Sequence, residues 1–120
     1  MGSIVLSEIL YSPAQPGTQF VEVMNRSTDN FDLAGWRLDG ASGVFPTGSI
    51  VTNGQIIVLA RNRAAFRRAY GKLPVLGTLD SALPTQDGTL VLLATNAGGD
   101  VFVDGVHYES GAPFPSRTVS

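Results

Sequence analysis

Residues 53–60 read Asn-Gly-Gln-Ile-Ile-Val-Leu-Ala, and they contain the two signals that decide the fold. Asn53-Gly54 is a strong turn signal, because these residue types tolerate the positive φ angles of tight turns. Residues 55–60 are almost entirely apolar, which is typical of a strand that is buried on both faces. This stretch therefore predicts a tight turn followed by a fully buried strand.

Short strands separated by turn signals are predicted on both sides of that stretch. Before it lie the aliphatic and aromatic runs 4–11, 20–24 and 31–39, with short extended pieces at 44–46 and 49–51. After it, the runs 89–95 and 101–108 flank the sequence Asn-Ala-Gly-Gly-Asp and predict a hairpin. The turn signals recur about every 8 to 15 residues, a spacing typical of an all-β sandwich.

Only one segment, residues 62–70, predicts a helix. Asn62 is a suitable N-cap and Gly71 a suitable C-terminal glycine. At 100° per residue, Phe66 and Tyr70 fall on one arc of this helix and the arginines fall on the other. We therefore expect the helix to lie on the sheets with both aromatic rings facing inward.

Length and composition agree with one β-domain. The chain has 120 residues, 43% of them hydrophobic and 15% charged, with a net charge of −2. The absence of cysteine excludes disulfides and thiolate metal sites. No apolar run approaches the roughly 18 to 20 residues of a membrane helix, so no membrane span is predicted. We therefore predict an all-β fold, an immunoglobulin-like antiparallel β-sandwich of about 7–9 short strands with one short helix at about 62–70.

Three segments of the chain resemble the opening of the lamin tail domain in its bacterial form. They are IVLSEILY at 4–11, FVEVMN at 20–25 and DLAGWRL at 32–38, and the resemblance continues in order to APFP at 112–115. It covers nearly the whole chain. Gln19 and Phe114 depart from the family pattern, which often has an acid and commonly a tryptophan at these two places.

The resemblance implies an immunoglobulin-like fold and a non-catalytic module used for interaction or scaffolding. Bacterial relatives occur as parts of larger, often exported proteins. We therefore expect residues 1–120 to be a single lamin-tail-like domain excised from a larger protein, and that protein to be extracellular or in the cell envelope. The start Met1-Gly2-Ser3 resembles a cloning scar, which agrees with excision.

The residues themselves predict no enzyme. A Ser-His-Asp arrangement needs a histidine that is free to reach a nucleophile, and His107 is the one histidine of the sequence. His107 lies inside a predicted strand, between Val106 and Tyr108. We interpret it as a surface or half-buried strand residue.

A concentration of positive charge is the most unusual feature of the sequence. Five of the eight cations fall within twelve residues that contain no acid, namely Arg61, Arg63, Arg67, Arg68 and Lys72. Such a basic face attracts acidic protein surfaces, phosphates or a DNA backbone. It is equally the solvated side of an ordinary amphipathic helix.

Two carboxylates give a candidate metal site. Glu8 and Glu22 lie on the first two predicted strands, which would be neighbours or near neighbours in the resembling fold. Together with backbone oxygens, the two carboxylates could hold calcium. The simpler interpretation is that each accepts hydrogen bonds from turn amides or from Arg37. No other cofactor is predicted.

Three functions stay open on the sequence alone. The first is a module that binds a protein or surface partner, and the second is a nucleic-acid-binding accessory domain that uses the basic helix. The third is a calcium-stabilised adhesive domain. We expect a monomer, or a weak dimer formed through an open sheet edge.

Overall fold

The computed structural model describes residues 3–10, 18–71, 73–81, 83, 87–96, 98–108 and 116–118. Residue 72 and the tail motif at 112–115, including Phe114, therefore lie outside the described residues. Within the described ranges the chain forms one helix, α1 (Arg63–Tyr70), and the strands β1 (Ile4–Leu10), β2 (Phe20–Asn25), β3 (Phe31–Asp32), β4 (Arg37–Asp39), β5 (Gly43–Val44), β6 (Ile50–Val51), β7 (Ile56–Ala60), β8 (Val75–Thr78), β9 (Gly88–Asn96), β10 (Gly99–Tyr108) and β11 (Ser116–Thr118).

The strands form two main sheets that face each other. The four-stranded sheet has the order β1-β2-β7-β8 and the five-stranded sheet the order β11-β10-β9-β4-β5. In a separate two-stranded sheet, β3 pairs with β6. Because side chains alternate between the faces of a strand, every second residue enters the core. Val21 and Leu59 enter it from the first sheet, and Leu38 and Leu92 enter it from the second. The prediction of an immunoglobulin-like β-sandwich with one short helix is confirmed.

One pairing departs from the antiparallel prediction, because β7 and β8 run parallel. Parallel neighbours need a crossover connection, and α1 lies within that connection. The sequence did not predict β8, whose four residues include Gly77. A Cβ atom on Gly77 would come within 2.8 Å of the Leu59 side chain, so the glycine permits this close approach.

The predicted strand 31–39 is divided between two sheets. A turn at residues 34–35 separates β3 from β4, and Gly35 adopts a φ of 81° there. Such a φ favours glycine over other residues. The turn sends β4 into the five-stranded sheet and leaves Trp36 partly buried against the core.

Both edges of the four-stranded sheet are tied to the opposite sheet. At one edge, the Leu6 amide of β1 donates to the buried carboxylate of Asp104 in β10, over 2.8 Å. At the other edge, Gly43 forms an isolated bridge with Leu79, next to the end of β8. At the edge of the five-stranded sheet, the described residues of β11 pair with residues 105–107 of β10. The weak dimer through an open sheet edge stays a prediction.

Asn25 connects a loop to the core at the end of β2. Its side chain is fully buried, and its amide group donates to the carbonyl oxygens of Asp29 and Val51. Its oxygen accepts from both the amide and the hydroxyl of Ser27. Two donors and two acceptor positions are thus all satisfied, as burial of a polar group requires.

Gln19 is buried and binds both backbone groups of Leu83. Its Nε2 donates to the Leu83 carbonyl over 2.9 Å, and its Oε1 accepts from the Leu83 amide over 2.8 Å. A carboxylate could make only the second bond. The glutamine that departs from the family pattern is therefore the residue type that this contact needs.

The substitution Gln19→Glu is expected to destabilise the fold by about 2 kcal/mol at neutral pH, because a carboxylate would face the Leu83 carbonyl. The loss of stability should be smaller in acid, because a protonated glutamate can again donate a hydrogen bond to the Leu83 carbonyl. Urea unfolding of the variant and the wild type at neutral and acid pH measures both effects. Gln55→Glu is the matched control, because the Gln55 side-chain oxygen accepts from Thr52. A loss that is equal at both pH values would contradict the prediction.

Candidate functional site

The helix α1 lies on the outer face of the four-stranded sheet. Phe20, Val58 and Ala60 of that sheet alternate with core residues and therefore point away from the core. Phe66 of α1 packs against them and is only 1% exposed. The Phe20 and Phe66 rings meet edge to face with their centroids 5.2 Å apart. One buried aromatic side chain thus fixes the helix on the sheet.

Local signals set both ends of the helix, as the sequence predicts. The Asn62 side chain accepts a hydrogen bond from the Ala65 amide over 2.9 Å, which is the N-cap interaction. At the other end, Gly71 has a φ of 77°, a value that favours glycine.

In the part of the chain that the structure describes, no helix is both long and apolar enough to cross a bilayer.

Three of the predicted basic residues form one exposed group on α1, which we call the arginine face: Arg63, Arg67 and Arg68. Arg67 and Arg68 lie in the last turn, where the helix dipole favours positive charge. None of the three forms an ion pair with any other described residue. Exposed guanidinium groups close together in this way attract anions.

Arg61 has a different environment from the arginine face. It precedes the helix and is half-buried, and its guanidinium donates to the Leu79 carbonyl over 2.7 Å. This contact ties the end of β7 to the end of β8. Since residue 72 lies outside the described residues, the structure brings together three of the five predicted basic residues.

Tyr70 corrects one expectation, because its ring does not face fully inward. The ring packs against Phe20 and Phe66 with centroid distances of 5.2 and 5.3 Å. Nevertheless, 45% of the residue is exposed. Tyr70 follows Arg67 by three positions, so the two side chains are neighbours on the helix surface. An aromatic edge therefore borders the arginine face.

Glu8 and Glu22 lie directly opposite each other across β1 and β2. The Ser7 hydroxyl lies next to the pair and donates to the Glu22 carboxylate over 3.3 Å. Burial raises the pKa of Glu22, the negative charge of Glu8 raises it further, and the Ser7 bond acts in the opposite direction. Arg37 is not the partner that the sequence suggested, since it pairs with Asp100 on the other sheet. We call Glu8 and Glu22 the glutamate pair.

Calcium binding at the glutamate pair stays a prediction. Calcium takes about six to eight oxygen ligands, most of which would have to come from backbone groups or water here. Among the described residues, no group of three or more histidine, aspartate or glutamate side chains is arranged to hold a metal ion. The geometry therefore adds no further side-chain ligand to the two that the sequence predicts.

His107 is a half-buried residue of β10, as the sequence predicts. It lies opposite Thr89 of β9, and its Nδ1 atom is 2.9 Å from the threonine hydroxyl. This cross-strand hydrogen bond is an ordinary way to satisfy an imidazole on a sheet surface.

Removing the charge of Glu22 is expected to stabilise the domain. Because folding raises the pKa of Glu22, the ionised carboxylate costs stability at neutral pH, and that cost disappears as the group is protonated in acid. Glu22→Gln should therefore raise Tm at neutral pH by about 1–2 °C, with the gain vanishing as the pH falls to about 4. Glu8→Gln should give a smaller rise, because burial is the larger cause. Thermal unfolding across this pH range, at a protein concentration too low for two copies to associate, checks both variants. A lower Tm for Glu22→Gln under these conditions would refute the explanation.

Comparison with known families agrees with this fold. The family model for the Lamin Tail Domain matches residues 1–110. A search of curated proteins and a search of solved structures each find no match. The family match spans the strands from β1 to β10 and includes α1. It therefore covers the four-stranded sheet, the arginine face and every strand of the five-stranded sheet except β11. The chain belongs to the lamin tail domain family, whose members have an immunoglobulin-like fold and generally act as non-catalytic interaction modules.

Proposed function

We propose that this domain binds an acidic protein surface through the arginine face. The observation that carries the proposal is that Arg63, Arg67 and Arg68 are exposed and form no ion pair with other described residues. The rest of the chain is acidic, so this local positive charge stands out against a negative background. Charge of this kind attracts and orients an oppositely charged partner.

The anchoring of α1 supports this function. Phe66 holds the helix on the sheet, and the Asn62 cap fixes its first turn. Binding therefore requires ordering of the three arginine side chains but not of the backbone that carries them. A preorganised surface loses less entropy on binding than a mobile one.

Fluorescence anisotropy with a labelled peptide rich in aspartate and glutamate tests the proposal. Charge reversal of all three arginines, R63E/R67E/R68E, should weaken binding by about a hundredfold or more, since like charges then face each other. The control for a charge reversal away from this face is Arg26→Glu, at an exposed arginine in the loop after β2, and it should leave binding nearly unchanged. Equal affinity of the triple variant and the wild type would overturn the proposed function.

A second candidate function is binding of single-stranded nucleic acid, and the exposure of Tyr70 favours it. Aromatic rings beside arginines are the usual platform on which unpaired bases stack. With three phosphate contacts, the logarithm of affinity should fall with the logarithm of salt concentration with a slope of about −2. Tyr70→Ala should then weaken binding of a labelled oligonucleotide about tenfold and leave binding of the acidic peptide nearly unchanged.

We also propose that the module works within a longer bacterial protein outside the cytoplasm. The resemblance of its first three strand segments to bacterial lamin tail domains supports this setting. Fractionation of cells that express the natural full-length protein with a tag tests it. The protein should be found in the envelope or in the medium, and a purely cytosolic protein would contradict the proposal.

A further inference from the structure

The arginine face and the glutamate pair lie on the same side of the molecule. In β2, Phe20 and Glu22 are two positions apart and therefore point to the same face, about 7 Å from each other along the strand. The ring of Phe20 contacts Phe66 of α1 on that face. The outer side of the four-stranded sheet thus carries a positive group on its helix and a negative group on the strands beside it.

These opposite charges do not neutralise each other within one chain. None of the described cations forms an ion pair with Glu8 or Glu22, and none of the described acids forms one with the arginine face. The raised pKa of Glu22 agrees with a carboxylate whose negative charge lacks a nearby cation. Within one chain, the described residues therefore place no opposite charge in an ion pair with either group.

We infer that two copies of this chain associate through this side, with the glutamate pair of each copy against the arginine face of the other. The inference rests on the proposed function, because it names the acidic partner of the arginine face. A surface that carries both signs of charge is complementary to itself after a twofold rotation, which closes the assembly at two copies. Each interface then contains two equivalent contacts between acid and arginine.

The apolar residues on this side fit the same occupant. Met24 in β2 and Ile56 in β7 lie opposite each other and are half-buried. Both are on the outer face of the four-stranded sheet, outside the part of that face on which α1 packs. Tyr70 exposes part of its ring at the other end of the same face. A second copy would cover this apolar surface and add hydrophobic burial to the charge contacts.

Charge exchange between two variants tests the inference. One variant carries E8K/E22K and the other carries R63E/R67E. Each variant should associate with itself at least about a hundredfold more weakly than the wild type does, because like charges meet at both contacts. Mixing the two variants restores opposite charges at both contacts, so sedimentation velocity should detect the mixed dimer. Increasing salt should dissociate both the wild-type dimer and the mixed dimer.

Two further variants guard against an effect on folding. Glu8 is exposed, so Glu8→Lys alone should fold normally and still weaken the dimer. Asp39→Lys makes the same change of charge on the five-stranded sheet, where the residue is exposed, and it should leave the dimer intact. Circular dichroism confirms that each variant is folded before its association is measured.

The outcomes separate this inference from the proposed function. A wild type that is monomeric up to its solubility limit, or a mixture that stays monomeric, overturns the inference. If that wild type still binds the acidic peptide through its arginines, the proposed function stands alone. A wild-type dimer that E8K/E22K abolishes, while peptide binding is retained, supports both.

Discussion

Replacing Phe66 by alanine is expected to lower the free energy of unfolding by about 3 to 5 kcal/mol. The ring is 1% exposed and packs against Phe20, Val58 and Val75, so its removal leaves a cavity beneath α1. It also removes the edge-to-face contact with Phe20, and aromatic pairs of this kind contribute about 0.5–1.5 kcal/mol. Urea unfolding followed by circular dichroism measures the loss.

A conservative variant shows whether the loss comes from packing. Phe66→Leu keeps most of the apolar volume and should lose clearly less stability than Phe66→Ala. The alanine variant should also bind the acidic peptide less tightly, because the arginine face depends on the position of the helix. A loss of stability below about 1 kcal/mol for Phe66→Ala would show that the ring does not anchor α1.

Replacing Asn25 by alanine is expected to lower the free energy of unfolding by about 3 kcal/mol or more. In the variant, the buried Val51 carbonyl loses the hydrogen bond that the Asn25 amide group donates to it. The Ser27 amide loses the Asn25 oxygen that accepts its hydrogen bond. Each buried polar group that loses its partner costs about 1–3 kcal/mol. The loop at residues 26–30 should therefore loosen, which amide hydrogen exchange at Ser27 can detect.

Asn30 in the same loop is the matched control for Asn25. It is exposed, and its side chain accepts one bond, from the Asn53 amide over 3.2 Å. Asn30→Ala should therefore cost about 1 kcal/mol or less. If the two alanine variants were equally stable, the hydrogen bonds of Asn25 would contribute little to the fold.

The helix could be predicted in detail because its signals are local. The Asn62 cap, the Gly71 ending and the aromatic spacing all lie within ten residues. The depth of Tyr70 could not be predicted in this way. A helical projection gives the direction of a side chain, but whether the sheet extends far enough to cover it depends on distant strands.

The strands could largely be predicted, but their partners could not. Alternating apolar residues locate β1, β2, β9 and β10 without stating which strands pair. The parallel pairing of β7 with β8 depends on Gly77, which allows contact with Leu59. Likewise, Gln19 and Leu83 are 64 positions apart. No pattern in the residues near either position predicts their contact.

The candidate site was predicted in outline. Charge counting found the arginine face, yet it could not separate Arg61, whose carbonyl partner Leu79 lies 18 positions further on. Strand order in the resembling fold predicted that Glu8 and Glu22 would be near each other. Their direct opposition depends on the irregular register near Ser7, which sequence alone did not reveal. The importance of Asn25 was missed, although the Ser and Asp that follow it are a signal for a side-chain-stabilised turn.

The bond between the Leu6 amide and Asp104 has a consequence for how the chain is made. Its two ends are separated by 98 positions, so the ribosome must synthesise all of the intervening residues before the bond can form. Until then the edge of β1 is not tied to β10 by this bond, and nascent chains could pair with one another along that edge. A fragment that ends before residue 104 should therefore precipitate more readily than the chain that includes Asp104, because the fragment cannot tie the edge of β1 to β10.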